Sequence, residues 1–442
     1  MRHKNENLKY KPAPLGYILA LLTAVSVPIH AQTGMTDTNK LEQENADLRR
    51  RLDSVEDLLK KEGITPSASG ATTTPLKALS DITISGFVTA SYFYDVASSK
   101  DNHPTGYLWN TAMNQFTLNK AKLTLAGPAL DKDKWSATYN LSLLYGQDQP
   151  IDDPSGGGYS AIREAYIVVN VPVGTGLEVK VGEMTSLLNY ESGDGGAVND
   201  NFSQGYQWFY TGNPPADTVQ LSYDFNDMFG AKLRVQNGLY NGEVGTGQKT
   251  LMAGVYVKPD KKTSLSFIGF EGKQDNLGPP SYSLDGASFI GSRQLMETYN
   301  LTFALEGDYF HFSGFDPQDA GFATGAPHGD FWSVGGWLTA DLDPKWRLAL
   351  RGELVDDPRG FGTIYNSPNP AAVEYGALGF PSSIYTSGEG QELTEITLTL
   401  DYKATPNVKI QPEIRWNHST VSAAFNGKSD QVIMGMGVSY IF

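Results

Sequence analysis

The segment Trp135-Ser-Ala-Thr-Tyr-Asn-Leu-Ser-Leu143 alternates strictly between apolar and polar side chains. In an extended chain its aromatic and aliphatic residues lie on one face and its serine, threonine and asparagine residues on the other, because successive side chains of a strand point in opposite directions. The same period recurs in Thr218–Phe225, Lys232–Gln236, Arg347–Leu354 and Glu395–Tyr402. Strands of about ten residues with one apolar face, separated by turns, are typical of a transmembrane β-barrel.

A soluble β-sandwich has the same alternation with its apolar face inward, so the pattern alone leaves both folds open. Connection lengths favour the barrel, because short connections alternate with long polar ones at 95–113, 147–159, 187–215, 241–249, 275–292, 316–329, 357–391 and 419–430. Outer-membrane barrels have tight periplasmic turns and long outer loops. The chain ends in Val438-Ser-Tyr-Ile-Phe442, and the apolar phase of Tyr440 and Phe442 resembles a barrel assembly signal.

The strand count depends on how residues 293–316 are divided. Taken as one strand, this stretch leaves an odd number of strands and puts the two ends of the barrel on opposite sides. We predict a division at Leu305-Glu-Gly-Asp308, which gives 16 strands and places both ends in the periplasm; 14 or 18 strands are the alternatives. The predicted fold is all-β, a transmembrane antiparallel barrel preceded by a short coiled-coil helix, and a barrel of this size encloses an aqueous channel.

The first 31 residues have the features of a signal peptide. The basic residues Arg2, Lys4, Lys9 and Lys11 precede an apolar stretch that ends at Ile29. Ala31 is a small residue suited to cleavage before Gln32. An uncleaved membrane anchor is the alternative interpretation. Export of a chain without cysteine indicates the envelope of a Gram-negative bacterium.

Residues 36–62 show a heptad pattern that predicts a periplasmic coiled coil. The candidate oligomerisation residues are Leu41, Asn45, Leu48, Leu52, Val55 and Leu59. A buried asparagine at a core position sets register and strand number at a cost in stability, and the e and g residues have opposite charges, as a parallel homo-oligomer requires. A single solvated amphipathic helix is the alternative, because three heptads are marginal in isolation. Residues 63–80, rich in Gly, Ser, Thr and Pro, indicate a flexible linker before the barrel at 81–442.

Composition excludes several classes of function. The absence of cysteine excludes thiol catalysis, disulfide scaffolds and Cys-ligated metal sites. A net charge of −15 argues against nucleic-acid binding, which needs clustered Lys and Arg. The four histidines beyond the signal peptide, His103, His311, His328 and His418, form no metal-binding spacing. We therefore expect no enzymatic activity, no metal and no cofactor.

Three segments, Leu348–Gly360, Thr394–Tyr402 and Val408–Arg415, resemble the OmpL-like family of outer-membrane β-barrel porins, and the resemblance covers about residues 81–442. It implies a passive diffusion channel for small hydrophilic solutes or ions, without catalytic residues. We expect contacts with outer-membrane lipid, the barrel assembly machinery and other copies of the chain, as a trimer. The alternative is a structural envelope protein with a plugged barrel, whose coiled coil spaces or tethers the outer membrane toward the peptidoglycan.

The phase of the strands places eight charged side chains in the lumen, where such groups set ion selectivity. The predicted pore-lining residues are Lys120, Lys122, Lys232, Arg234, Arg351, Glu353, Glu413 and Arg415. The alternative is that Arg351 pairs with Glu353, and Glu413 with Arg415, and that these pairs only stiffen the wall.

The connection at 187–215 is a candidate constriction loop that folds into the barrel. Its acidic and aromatic residues Glu191, Asp194, Asp200, Tyr206 and Trp208 would then face the basic wall. An ordinary surface loop is the alternative. The long connection at 357–391 is a second candidate for a plug or a cap.

Overall fold

A computed structural model of the chain describes residues 82–96, 106, 109–110, 112–152, 161–239, 247–274, 282–314, 328–358, 380 and 390–442. The signal peptide predicted at 1–31, the coiled coil at 36–62 and the linker at 63–80 lie outside these residues. Most of the predicted plug at 357–391 also lies outside them. Within the described part, no helix has the length and apolarity needed to cross a bilayer.

Sixteen strands, all within the described residues, form one closed antiparallel barrel. They are β1 (Thr83–Asp95), β2 (Gln115–Ala126), β3 (Ser136–Tyr145), β4 (Ile162–Val171), β5 (Leu177–Met184), β6 (Ala216–Asp224), β7 (Phe229–Gln236), β8 (Thr250–Asp260), β9 (Thr263–Gln274), β10 (Tyr282–Met296), β11 (Leu301–Ser313), β12 (His328–Asp341), β13 (Trp346–Asp357), β14 (Gln391–Thr405), β15 (Val408–Ser419) and β16 (Asp430–Ile441). Short helices α1 (Gln149–Asp152) and α2 (Tyr206–Tyr210) lie in the connections. The predicted strand number is confirmed.

Closure of the barrel joins its first and last strands. β16 pairs with β1 from Ile433 opposite Asp95 to Ile441 opposite Phe87. Lipid offers no hydrogen-bond partner to a free strand edge, so a sheet that crosses a membrane must close in this way. At the seam, the backbone of Gly86 exchanges hydrogen bonds of 2.9 and 3.0 Å with that of Phe442.

The apolar faces of the strands point outward. On β14, Ile396 and Leu398 are 47% and 42% exposed, whereas Thr397 and Thr399 are fully buried inside the barrel. A soluble sheet would bury the aliphatic residues instead. The outward apolar face is the arrangement of a barrel surrounded by lipid.

Long and short connections lie at opposite ends of the barrel. The turns after the even-numbered strands are short, as at 261–262 and 406–407, whereas those after the odd-numbered strands include 185–215 and 358–390. β1 begins and β16 ends on the side of the short turns. Tyr440 and Phe442 lie there on the outer face, 51% and 48% exposed, with their ring centroids 6.3 Å apart.

The predicted division of 293–316 is wrong in position. The turn lies at 297–300, where Asn300 has a φ of +44°, and the first part of β10 occupies residues predicted as loop. Small residues in β10, such as Gly286 and Gly291, weaken the alternation that marks a strand. The Glu-Gly-Asp sequence suggested a turn, but Glu306 and Asp308 are inward-facing residues in the middle of β11.

Candidate functional site

The connection between β5 and β6, residues 185–215, folds into the barrel and is called the lumen loop here. It contains a short 3₁₀ turn (Gly195–Ala197) and helix α2. Its acidic residues contact opposite parts of the wall: Asp194 lies 2.7 Å from Lys122 on β2, and Glu191 lies 2.7 Å from Arg351 on β13. A loop that begins at β5 can reach both strands only by crossing the interior.

Carboxylates on the wall bind backbone amides of the lumen loop. Glu306 on β11 accepts a hydrogen bond from the N–H of Tyr190 at 2.6 Å, and Glu353 on β13 accepts one from Tyr206 at 2.5 Å. Glu413 on β15 accepts from the N–H of Phe202 at 2.8 Å. Buried N–H groups need partners, and an irregular loop cannot supply all of them itself. These wall carboxylates therefore stabilise the inward position of the loop.

Two buried arginines complete this contact. Arg351 donates to the carbonyl oxygen of Ser203 at 2.6 Å and lies 2.8 Å from Glu395. Arg415 donates to the carbonyl oxygen of Gln204 at 2.8 Å. Both guanidinium groups therefore bind the backbone of the lumen loop as well as wall residues.

The acids closest to the two arginines are not those of the alternative pairing, Arg351 with Glu353 and Arg415 with Glu413. Arg351 is 4.0 Å from Glu353, farther than from Glu191 or Glu395. The carboxylate beside Arg415 is that of Glu395 at 3.9 Å, whereas Glu413 binds the lumen loop. Sequence could not identify Glu395 as the shared acid, because strand register decides which side chains meet.

The remaining predicted loop residues also contact the wall or its neighbours. Asp200 lies 2.9 Å from Arg347 on β13. Tyr206 is fully buried, and its ring centroid lies 4.7 Å from the guanidinium carbon of Arg415 on β15. The indole of Trp208 is 5.5 Å from that of Trp109, and the ammonium group of Lys120 lies 5.9 Å from the centroid of the Trp208 ring.

Two apolar clusters fill part of the interior. The first packs the lumen loop against β1, β13, β14 and β16 and contains Phe93, Trp109, Met113, Phe202, Tyr206, Phe209, Tyr210, Val355, Phe380, Leu393, Ala424, Phe425 and Ile433. The second packs Leu188 of the lumen loop and Leu239 after β7 against the inner faces of β8 to β12, where it includes Met252, Ile268, Phe270, Tyr282, Leu284, Phe310, Phe312 and Phe331. Inward-facing aromatic residues were not expected from the sequence, because the alternation predicts polar side chains there.

The inner wall from β3 to β7 carries basic side chains. Lys232 on β7 is half-buried, and its ammonium group lies 4.5 Å from the centroid of the Tyr256 ring. Arg234 donates to Gln220 at 2.8 and 3.0 Å and to the carbonyl oxygen of Thr185 at 2.9 Å. Lys180 on β5 is a further inward-facing cation that was not predicted from the sequence. It lies between the apolar residues Val179 and Val181, so the alternation that identified the other lumen residues also applies to it.

All eight predicted pore-lining side chains thus lie on the inner face of the barrel. Seven of them contact or approach the lumen loop or its neighbours, namely Lys120, Lys122, Arg234, Arg351, Glu353, Glu413 and Arg415. Lys232 and Arg234 lie on β7. Their role in conduction stays a prediction.

Comparisons with known proteins agree with this architecture. The family model described as "Putative beta-barrel porin-2, OmpL-like" matches residues 81–442. Curated protein sequences give no match.

Solved structures with a similar fold include three bacterial outer-membrane proteins. An anion-selective porin from Comamonas acidovorans has a TM-score of 0.53 and 11% identity over 82% of this chain and 99% of its own. The outer membrane channel DcaP of Acinetobacter baumannii has a TM-score of 0.52 and 13% identity over 82% and 97%. The trimer form of OmpT from Vibrio cholerae has a TM-score of 0.52 and 10% identity over 82% and 99%. With its closed 16-stranded barrel and inward-folded loop, the chain belongs to the OmpL-like β-barrel porin family and is an outer-membrane porin.

Proposed function

We propose that small hydrophilic solutes and ions diffuse passively along the inner wall of β3 to β7, beside the lumen loop. The observation that carries this proposal is an asymmetry of exposure. Lys180, Ser222 and Lys232 on this wall are half-buried, whereas Arg351, Thr397 and other inward residues of β13 and β14 are fully buried. Water therefore reaches Lys180, Ser222 and Lys232, whereas Gln220 and Arg234 beside them are only 3% exposed.

In this proposal the lumen loop is the constriction element. Tyr190 is 37% exposed, and its ring lies 4.8 Å from that of Trp337 between centroids, so it lies at the surface of the loop. Pore width and wall charge would then select solutes without a catalytic step or a bound cofactor.

Single-channel recording of the purified mature protein in a planar bilayer tests the proposal. We expect stepwise conductance from a barrel whose folding is verified by heat-modifiable migration. A correctly folded barrel that never conducts would contradict diffusion through the lumen.

A second candidate function is supported by the two apolar clusters inside the barrel. A plugged barrel with a coiled-coil spacer toward the peptidoglycan would serve the envelope structurally. Deletion of residues 38–62 distinguishes the two functions. A porin would keep its conductance after this deletion, whereas a tether would lose its envelope phenotype.

We further propose that the chain forms a homotrimer, supported by the trimer form of OmpT and by the heptad residues at 36–62. Light scattering of the detergent-solubilised protein measures the oligomeric state. Replacing Leu48 and Leu52 by Asp should leave the barrel folded and show whether the coiled coil contributes to assembly.

A further inference from the structure

Three cationic side chains share one patch of the inner wall, on β5 and β7. Lys180 lies opposite Gln220 on β6, and Gln220 lies opposite Arg234 on β7. Lys232 is two residues from Arg234 and therefore on the same face. Adjacent strands are about 4.8 Å apart, so the three positive charges fall within about one Debye length of one another at physiological salt.

These cations differ from Lys122 and Arg351, which pair with acids of the lumen loop. Among the described residues, no carboxylate oxygen lies within 4.0 Å of Lys180, Lys232 or Arg234. The ammonium groups of the two lysines instead lie over tyrosine rings, 4.2 Å from the centroid of Tyr166 and 4.5 Å from that of Tyr256. A ring face attracts an ammonium group without neutralising its charge.

The acidic groups of the lumen loop are engaged elsewhere. Glu191 pairs with Arg351, Asp194 with Lys122 and Asp200 with Arg347. Each loop carboxylate is therefore offset by a cation on β2 or β13, and none of the three is paired with the patch on β5 and β7.

Two further acids face the same side of the barrel. Glu164 lies 4.0 Å from Lys122 and accepts a hydrogen bond from Thr185 at 3.3 Å. Glu178 is two residues from Lys180 on the inner face of β5, nearer the periplasmic end. The negative charge of Glu178 partly offsets the positive charge of the patch. Removing this carboxylate should therefore change the ion selectivity in the direction opposite to that expected from removing a lysine.

We infer that Lys180, Lys232 and Arg234 form an anion-binding site on the channel wall, which attracts small inorganic anions and makes the pore anion-selective. The inference rests on the proposed function, because it needs an open path beside this wall. Half-buried ammonium groups keep N–H donors for a passing anion, and Arg234, only 3% exposed, adds a fixed positive charge behind them. The negative net charge of the chain does not determine the ion selectivity of the pore, since exposed charges more than about 8–10 Å away are screened by salt.

The test is the reversal potential of single channels under a KCl gradient, for the full mature protein and its variants. We expect the native channel to prefer chloride. Lys180→Gln with Lys232→Gln should lower the ratio of chloride to potassium permeability by about fivefold. The double variant should fold, because it removes no ion pair between described residues. Glu178→Gln should raise the ratio, and Lys134→Gln, in an exposed turn and paired with Asp131 at 2.8 Å, is the matched control that should leave it unchanged.

Inorganic phosphate is the second probe. Added to the KCl solution, it should reduce the chloride current of the native channel and have less effect on the double variant. A conducting channel that prefers potassium, or whose selectivity is the same in the double variant, would overturn the anion site and leave the porin function intact. A folded barrel without conductance would overturn the proposed function, and the anion site would fall with it.

Discussion

Arg351 connects three parts of the molecule through one buried guanidinium. It is fully buried, lies 2.7 Å from Glu191 of the lumen loop and 2.8 Å from Glu395 of β14, and donates to the carbonyl oxygen of Ser203. Removing one partner of a buried ion pair is costly because the other charge stays behind without compensation. The inward position of the loop therefore depends strongly on this residue.

We predict that Arg351→Met weakens the binding of the lumen loop to the barrel wall. Loss of the guanidinium leaves Glu191 and Glu395 buried together, at a cost of about 3–5 kcal/mol. The loop should fluctuate more, which appears as noisier single-channel current and as unfolding at a lower temperature on heat-modifiability gels. Arg293→Met is the control, because Arg293 is 56% exposed and 3.5 Å from Asp260. Equal effects of the two substitutions would contradict the role assigned to Arg351.

At the scale of elements, the lumen loop is anchored along β11 to β16 and also on β1 and β2. Its residues reach the wall by ion pairs, by wall carboxylates that accept backbone N–H groups, and by an aromatic cluster. At Gly437 on β16, an added Cβ would overlap the ring of Phe202. Glycine at this position thus permits close packing of the loop against the wall.

The absence of native cysteine makes this placement testable by crosslinking. We predict that Phe202→Cys together with Gly437→Cys forms a disulfide on oxidation, seen as faster migration on a non-reducing gel. Phe202→Cys with Gly307→Cys is the control, because an added Cβ at Gly307 has only the Ser333 carbonyl oxygen within reach, at 4.0 Å, and points outward. If the first pair stays reduced in folded barrels, the loop does not rest against β16.

At the scale of the whole molecule, strand order and closure determine which connections face each side of the outer membrane. The turn at 297–300 lies at the end with the short turns, and the connection at 420–429 lies at the opposite end. Gly427 has a φ of +83°, and a Cβ added there would meet no atom within 4 Å, so there is open space beside this residue.

Epitope insertions should report this sidedness. A tag after Gly427 is expected to bind antibody on intact cells, and a tag after Tyr299 only after the outer membrane is permeabilised. An insertion after Gly307 should prevent barrel formation, because this residue lies in the middle of β11. Surface labelling at Tyr299 in intact cells would mean that the orientation is inverted.

Local alternation in the sequence determined that most segments are strands and which residues share a face, whereas the connection lengths and the C-terminal pattern at Tyr440 and Phe442 favoured a barrel with its apolar face outward. Ile396 and Leu398 alternate with Thr397 and Thr399, and backbone geometry alone assigns such neighbours to opposite faces. The strand number followed from the requirement that both ends of the barrel lie on the same side, which calls for an even number of strands. The position of the turn at 297–300 could not be predicted in this way. Glycine and serine residues in β10 weaken the alternation between apolar and polar side chains, so the two-residue period is not detectable there.

Only the tertiary structure decided which side chains meet inside the barrel. Arg351 and Glu191 are 160 residues apart in sequence, and Lys122 and Asp194 are 72 apart. The face of a residue is a local property of its strand, whereas its partner across the lumen depends on register, closure and the path of the loop. For this reason the inward direction of Lys232 and Arg234 could be predicted from the sequence, but the pairing of the loop acids with other cations could not.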